Sequence, residues 1–115
     1  MENNFENIYE EQKKLQVFLE SMITEENSLE KKEELTKATI IHLITEAIEV
    51  LDNINWKMHK KTRKDVDEKA ILEESIDIFK YLMNIWIIWG YNPQQIFEEF
   101  MKKTEINYDR KRNNY

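Results

Sequence analysis

Apolar residues recur every three to four positions in four stretches of this chain, separated by the only polar or turn-forming segments long enough to break that period. The first stretch covers about residues 4 to 23, with Phe5, Ile8, Leu15, Phe18, Leu19 and Met22 as its apolar stripe. After a polar segment at 24 to 34, the second runs to about residue 56 and carries Ile40, Leu43, Ile44, Ala47, Ile48, Leu51 and Ile54. A basic segment, 57 to 64, leads to a third that starts near Asp65 and ends at Gly90, a residue suited to the left-handed turn that closes a helix. Pro93 suits the first turn of a fourth helix, which carries Ile96, Phe97, Phe100 and Met101. These patterns predict an all-α fold, a four-helix bundle forming a single domain over residues 1–115.

Composition narrows the picture further. One glycine and one proline leave almost nothing for the turns of a β sandwich or barrel. Without cysteine there is no disulfide framework, thiolate zinc site or thiol nucleophile. The longest apolar run, 85 to 89, is too short to span a bilayer, and Met1 to Glu6 do not resemble the start of a signal peptide. No membrane partner and a cytoplasmic location are therefore expected. The formal charge of -6, from 23 acidic and 17 basic residues, weighs against nonspecific nucleic-acid binding. The second and third helices are too apolar for a lone small bundle, since hydrophobic positions cover about half the circumference of the second. A homodimer, or a tetramer, would cover that surface.

The candidate chemistry lies inside those apolar helices. Between Ala38 and Leu51 the only charged residues are Glu46 and Glu49; between Ser75 and Phe97 they are Asp77 and Lys80. His42, Glu46, Glu49 and Asn53 fall on one helical stripe, expected opposite the core face, and Glu74, Asp77, Tyr81 and Asn84 form a similar one. Antiparallel packing would bring four carboxylates together, where either protonation or a cation must relieve their repulsion. Hard oxygen donors select magnesium or manganese rather than zinc. The plainer alternative is a solvated acidic face paired with Lys57 and Lys80; Glu73 points about a quarter turn away.

A carboxylate-held magnesium site suits phosphate esters and anhydrides, which also need cations nearby. Basic residues cluster at Lys57, Lys60, Lys61, Arg63 and Lys64, and again at Lys102, Lys103, Arg110, Lys111 and Arg112. Lys103, Asn107 and Arg110 share one helical face. Trp56, beside Lys57, has a face on which a nucleobase could stack, and Gln12 could meet a base edge. An ordinary core Trp and a backbone-satisfied Gln are the alternatives. His42 reads as packing or support for the acids, and His59 as surface.

At these residues the chain resembles the all-α nucleoside triphosphate pyrophosphatases of MazG-like type, and most of all the dimeric deoxyuridine triphosphatases. Glu11 to Leu15 (E-Q-K-K-L) resembles that family's Q-x-x-L segment. Glu46 to Lys57 resembles its E-x-x-E stretch ending in Trp-Lys, and Glu74 to Asp77 (E-S-I-D) its E-x-x-D. Lys103 to Arg110, followed by Asn114 and Tyr115, resembles K-x-x-x-N-x-x-R and the Gly-Tyr after it. Lys80 stands where His is frequent, and Lys111 and Asn114 where Gln and Gly are usual. The resemblance implies a magnesium-dependent hydrolase, manganese being the alternative metal, that splits a nucleoside triphosphate, most closely dUTP, into monophosphate and pyrophosphate. It implies metal ligation by Glu46, Glu49, Glu74 and Asp77, with Glu46 also orienting the attacking water as catalytic base. Phosphate contacts fall on Lys103, Asn107 and Arg110 and base contacts on Gln12 and Trp56, and Lys57, from its place beside Trp56, is expected to reach phosphate as well. A MazG-like enzyme for dCTP or another nucleotide, or a noncatalytic helical partner protein, are the competing expectations.

Overall fold

A computed structural model of the chain describes residues 1–57, 62 and 64–113. His59, Lys60, Lys61, Arg63, Asn114 and Tyr115, named above, lie outside the described residues. Among the described residues there are four helices and no strand: α1 (Phe5–Phe18), α2 (Leu29–Leu51), α3 (Glu68–Ile88) and α4 (Pro93–Arg112).

Each helix begins at a polar cap. The side chains of Asn4, Ser28, Asp67 and Asn92 accept the backbone N–H of Asn7, Lys31, Ala70 and Gln95 respectively, and each such cap stabilises its helix by about 1 kcal/mol. Pro93 and the reciprocal Asn92–Gln95 bonds make the start of α4 as expected from sequence. The Ser28 cap starts α2 earlier than the polar composition of 24 to 34 predicts; Glu30 in its first turn suits the positive end of the helix. Helix α1 stops at Phe18 rather than near residue 23. There the Ser21 N–H bonds back to the Gln16 carbonyl, and Glu20 and Met22 take left-handed φ values of 53° and 68° that end the helical path. The same wrap closes α3, where the Tyr91 N–H reaches the Trp86 carbonyl and Gly90 sits at φ 75°. A Cβ at Gly90 would also lie 2.4 Å from a Glu25 carboxylate oxygen, so both backbone and space call for glycine here.

Helix α3 is central, with α2 along one side and α1 along the other. Helices α2 and α3 run antiparallel: Trp89 Nε1–H donates to Thr36 Oγ1 at 2.8 Å, His42 lies on Tyr81, and the Asp67 N–H bonds to the Asn53 carbonyl at 3.2 Å. On the other side Tyr9, Met83 and Ile87 form the buried core, ringed by Phe5, Ile23, Phe79, Trp86 and Ile96. The Phe5 ring meets those of Tyr9, Phe79 and Trp86 at centroid distances of 5.9, 6.2 and 6.2 Å, a range in which aromatic pairs attract. Tyr9 donates its hydroxyl to the Tyr91 carbonyl, and burial pushes that phenol up to about 12.

Two predicted apolar stripes are covered only in part: Phe5, Leu15, Leu43, Ala47 and Ile54 are half-buried, and the rest face outward. The buried face of α1 is Tyr9, Gln12 and Gln16, whereas Ile8, Phe18, Leu19 and Met22 are exposed. On α2, Ile40, Ile44, Ile48 and Leu51 are exposed, while Thr39, Leu43, Glu46, Ala47 and Val50 are buried or half-buried. Helix α4 sits against α1 and buries none of its residues. The chain exposes 9389 Å², where a globular monomer of this size exposes about 6,700 Å². Its radius of gyration, 17.6 Å, likewise exceeds the roughly 13 Å of a compact chain of this length.

Candidate metal centre

The half-buried inner face of α2 presents Glu46 to α3, which answers with Glu74 and Asp77 one turn apart. One oxygen from each of these three carboxylates lies within 4.8 Å of the others. The acidic stripe of α2 is thus turned toward its neighbour, not away from the packed face as its sequence setting predicted. Like charges at this distance cost energy unless a proton or a cation intervenes. The Glu74 carboxyl is raised to about 7, first by its hydrogen bond with Glu46 and then by Glu49 and partial burial. For Glu46 the bond with Glu74 pulls downward, but burial, Glu49 and repulsion from Asp77 outweigh it, and the net shift is upward. Glu49 is exposed at the rim, outside the three-oxygen set yet near enough to act on both.

No N–H or hydroxyl group donates to the buried Glu46 Oε2, whose neighbours are the other carboxyls, a condition that buried polar atoms seldom tolerate. Nor does any of the four acids form an ion pair among the described residues; Glu73 instead meets Lys69 at 3.8 Å, and the Lys57 ammonium lies over the Trp56 ring. The donor set is hard oxygen only: no cysteine exists, and His42 contributes no atom to it. Glu46, Glu74 and Asp77, with Glu49 at the edge, therefore fit a hard divalent cation such as magnesium or manganese and suit zinc poorly.

Around this centre the other candidates fall into two groups. Gln12 reaches across from α1, its Nε2 donating to Asn84 Oδ1 at 2.9 Å, both side chains buried, and its Oε1 is left without a partner. It is therefore not the backbone-satisfied glutamine of the plainer reading. Trp56 is 44% exposed, with the Lys57 ammonium 5.3 Å from its ring centroid, so it is not core. Asn55 pins the chain just after it by exchanging two hydrogen bonds with the Lys64 backbone, at 2.8 and 2.9 Å. Lys103 and Asn107 instead line a groove of about 770 Å³ with Trp86, Tyr91 and Phe100, and none of the four acids borders it. Arg110 is exposed further along α4. Asn84 and Tyr81, which the sequence placed on the stripe of Glu74 and Asp77 without a role, each contact a residue of a neighbouring helix. Asn84 had a legible signal, a lone amide inside the apolar run 82 to 89; Tyr81 had only its place one turn after Asp77.

A family profile described as dUTPase matches residues 4–95, which takes in α1, α2, α3, both acid pairs, Gln12, Trp56 and Lys57, and ends before Lys103. Comparison with curated proteins and with solved structures gave no match. The matched span, the strandless fold and the converging acids agree with one another, and the chain belongs to the dUTPase family, all-helical hydrolases of the dUTP diphosphatase type related to the MazG-like proteins.

Proposed function

We propose that this chain hydrolyses dUTP to dUMP and pyrophosphate with magnesium, or manganese in its place, held by Glu46, Glu74 and Asp77 and completed by Glu49. The observation that carries the reading is the buried Glu46 oxygen, without an N–H or hydroxyl donor, facing two further carboxylates in a chain of this family. Bound there, the metal would supply neutralisation of the triphosphate charge and a lowered water pKa. Glu46 is the acid that α2 contributes to the three-oxygen set, and its raised proton affinity suits it to orient and deprotonate the attacking water.

The nucleotide's other end has matching groups. The buried Gln12 oxygen, which lacks a donor, is an acceptor suited to the N3–H of uracil, with Asn84 holding the amide in place, and the exposed Trp56 face offers a stacking surface. Lys57 is placed to meet phosphate beside Trp56. Lys103, Asn107 and Arg110 serve as further phosphate contacts if this face of α4, which borders none of the four acids in the single chain, approaches them in an assembly. A homodimer is supported by the exposed Ile40, Ile44, Ile48 and Leu51 row and by Phe97, Phe100 and Met101 on α4.

The deciding experiment incubates the chain with a panel of nucleoside triphosphates in magnesium and analyses products by chromatography with pyrophosphate detection. Monophosphate and pyrophosphate from dUTP above all others is the expected result. A preference for dCTP would move the chain to the MazG-like alternative, release of orthophosphate would exclude the reaction, and no turnover of any triphosphate would leave the noncatalytic reading.

A further inference from the structure

At the level of the acids, Glu46, Glu74 and Asp77 bring like charges together across the gap between α2 and α3. The half-buried inner face of α2, with Leu43, Ala47 and Val50, keeps the helices paired, and directional contacts lie on either side of the acids. Towards the end of α2 there is a backbone bond, Asp67 N–H to the Asn53 carbonyl, two turns from Glu46. On the other side the contact is much nearer. One turn before Glu46 and one turn after Asp77, the His42 and Tyr81 rings stack with centroids 5.5 Å apart and planes 13° from parallel. Flat rings in offset contact fix both the separation of two helices and their rotation, which an aliphatic contact of the same size would leave loose.

We propose that His42 and Tyr81 are positioning residues, a stacked spacer that sets the distance between Glu46 on α2 and Asp77 on α3 so that one divalent cation can be gripped from both helices. The inference rests on the metal reading given above. His42 acts through its ring face and not as a ligand, since no atom of it joins the three-carboxylate set. His42 is exposed and Tyr81 half-buried, and neither belongs to the core around Tyr9, Met83 and Ile87, so both tolerate substitution without loss of the fold.

The test is isothermal titration of magnesium into the full chain and its variants, with helical content and metal-free Tm recorded alongside. His42→Ala should weaken magnesium binding about 10-fold or more, the range seen when groups supporting metal ligands are lost, with helicity unchanged. It should also raise the magnesium concentration for half-maximal turnover while kcat at saturating magnesium stays near that of the parent. His42→Phe, which keeps the ring and removes both nitrogens, should restore binding, and Tyr81→Leu should behave like His42→Ala. Unaltered affinity in both His42→Ala and Tyr81→Leu overturns the proposal, and so does a His42→Phe variant as weak as His42→Ala. A parent chain that binds no magnesium would overturn the metal reading and this inference with it, a pattern distinct from tight binding that no variant changes.

Discussion

Glu46, Glu74 and Asp77 are held by helical backbone on two sides, so a carboxylate-to-amide change there alters charge and donor chemistry while leaving shape almost untouched. Asp77→Asn is expected to lower kcat on the order of 100-fold or more, with far-UV circular dichroism superimposable on the parent. Glu49→Gln, at the rim, should lose less; equal activity in Asp77→Asn and the parent would remove Asp77 from the site. Trp56 is tested differently because it is half-exposed and followed by its own cation. Trp56→Ala should raise KM by the equivalent of about 1 to 3 kcal/mol through lost stacking, with kcat changed far less and little loss of Tm. An unaltered KM would make Trp56 a bystander.

The paired helices α2 and α3 carry their own pH dependence. The Glu74 carboxyl, ordinarily near 4.5, is raised to about 7 in the folded chain, so the folded state holds this proton more tightly than the unfolded state does. Folding is therefore favoured while the group is protonated, and that advantage is lost as pH climbs from about 4.5 to about 7 and stays lost above. Thermal melts in a chelator should show Tm falling across that window. Magnesium should add a Tm increment that grows over the same range, because the metal competes with the proton for the same oxygens. A metal increment equal at pH 5 and pH 8 would contradict the shared site. Legibility at this scale was uneven. The breaks at Gly90 and Pro93 are local chemistry and could be read from the chain, whereas the Ser28 cap was hidden in a segment whose polar composition read as a linker. The left-handed Glu20 that ends α1 could not, since only the returning turn over Gln16 demands it.

As a whole, the molecule shows more surface than its length requires, and many large apolar side chains lie on it. The outer row of α2, Ile40, Ile44, Ile48 and Leu51, lies back to back with the face that carries Glu46. A second copy on that row would stiffen the helix behind the acids. Sedimentation velocity should give a homodimer, and Ile48→Lys, which puts a charge in the centre of the row, should shift it to monomer and make Tm insensitive to protein concentration. A parent chain that sediments as a monomer at micromolar concentration would remove this interface.

Local rules act through neighbours in sequence, and the chain by itself therefore determined the four helices, the breaks at Gly90 and Pro93 and the identity of the acids worth watching. Burial depends on which face meets which helix, and that only the tertiary structure decided. On α1 the choice fell on Tyr9, Gln12 and Gln16 over Ile8 and Phe18, because Gln12 finds Asn84 and Tyr9 finds the Tyr91 carbonyl. On α2 it turned Glu46 inward and left the isoleucines out. An amphipathic period states that a helix has two faces; the partner helix, with its own hydrogen-bonding and charge demands, selects which of them is covered.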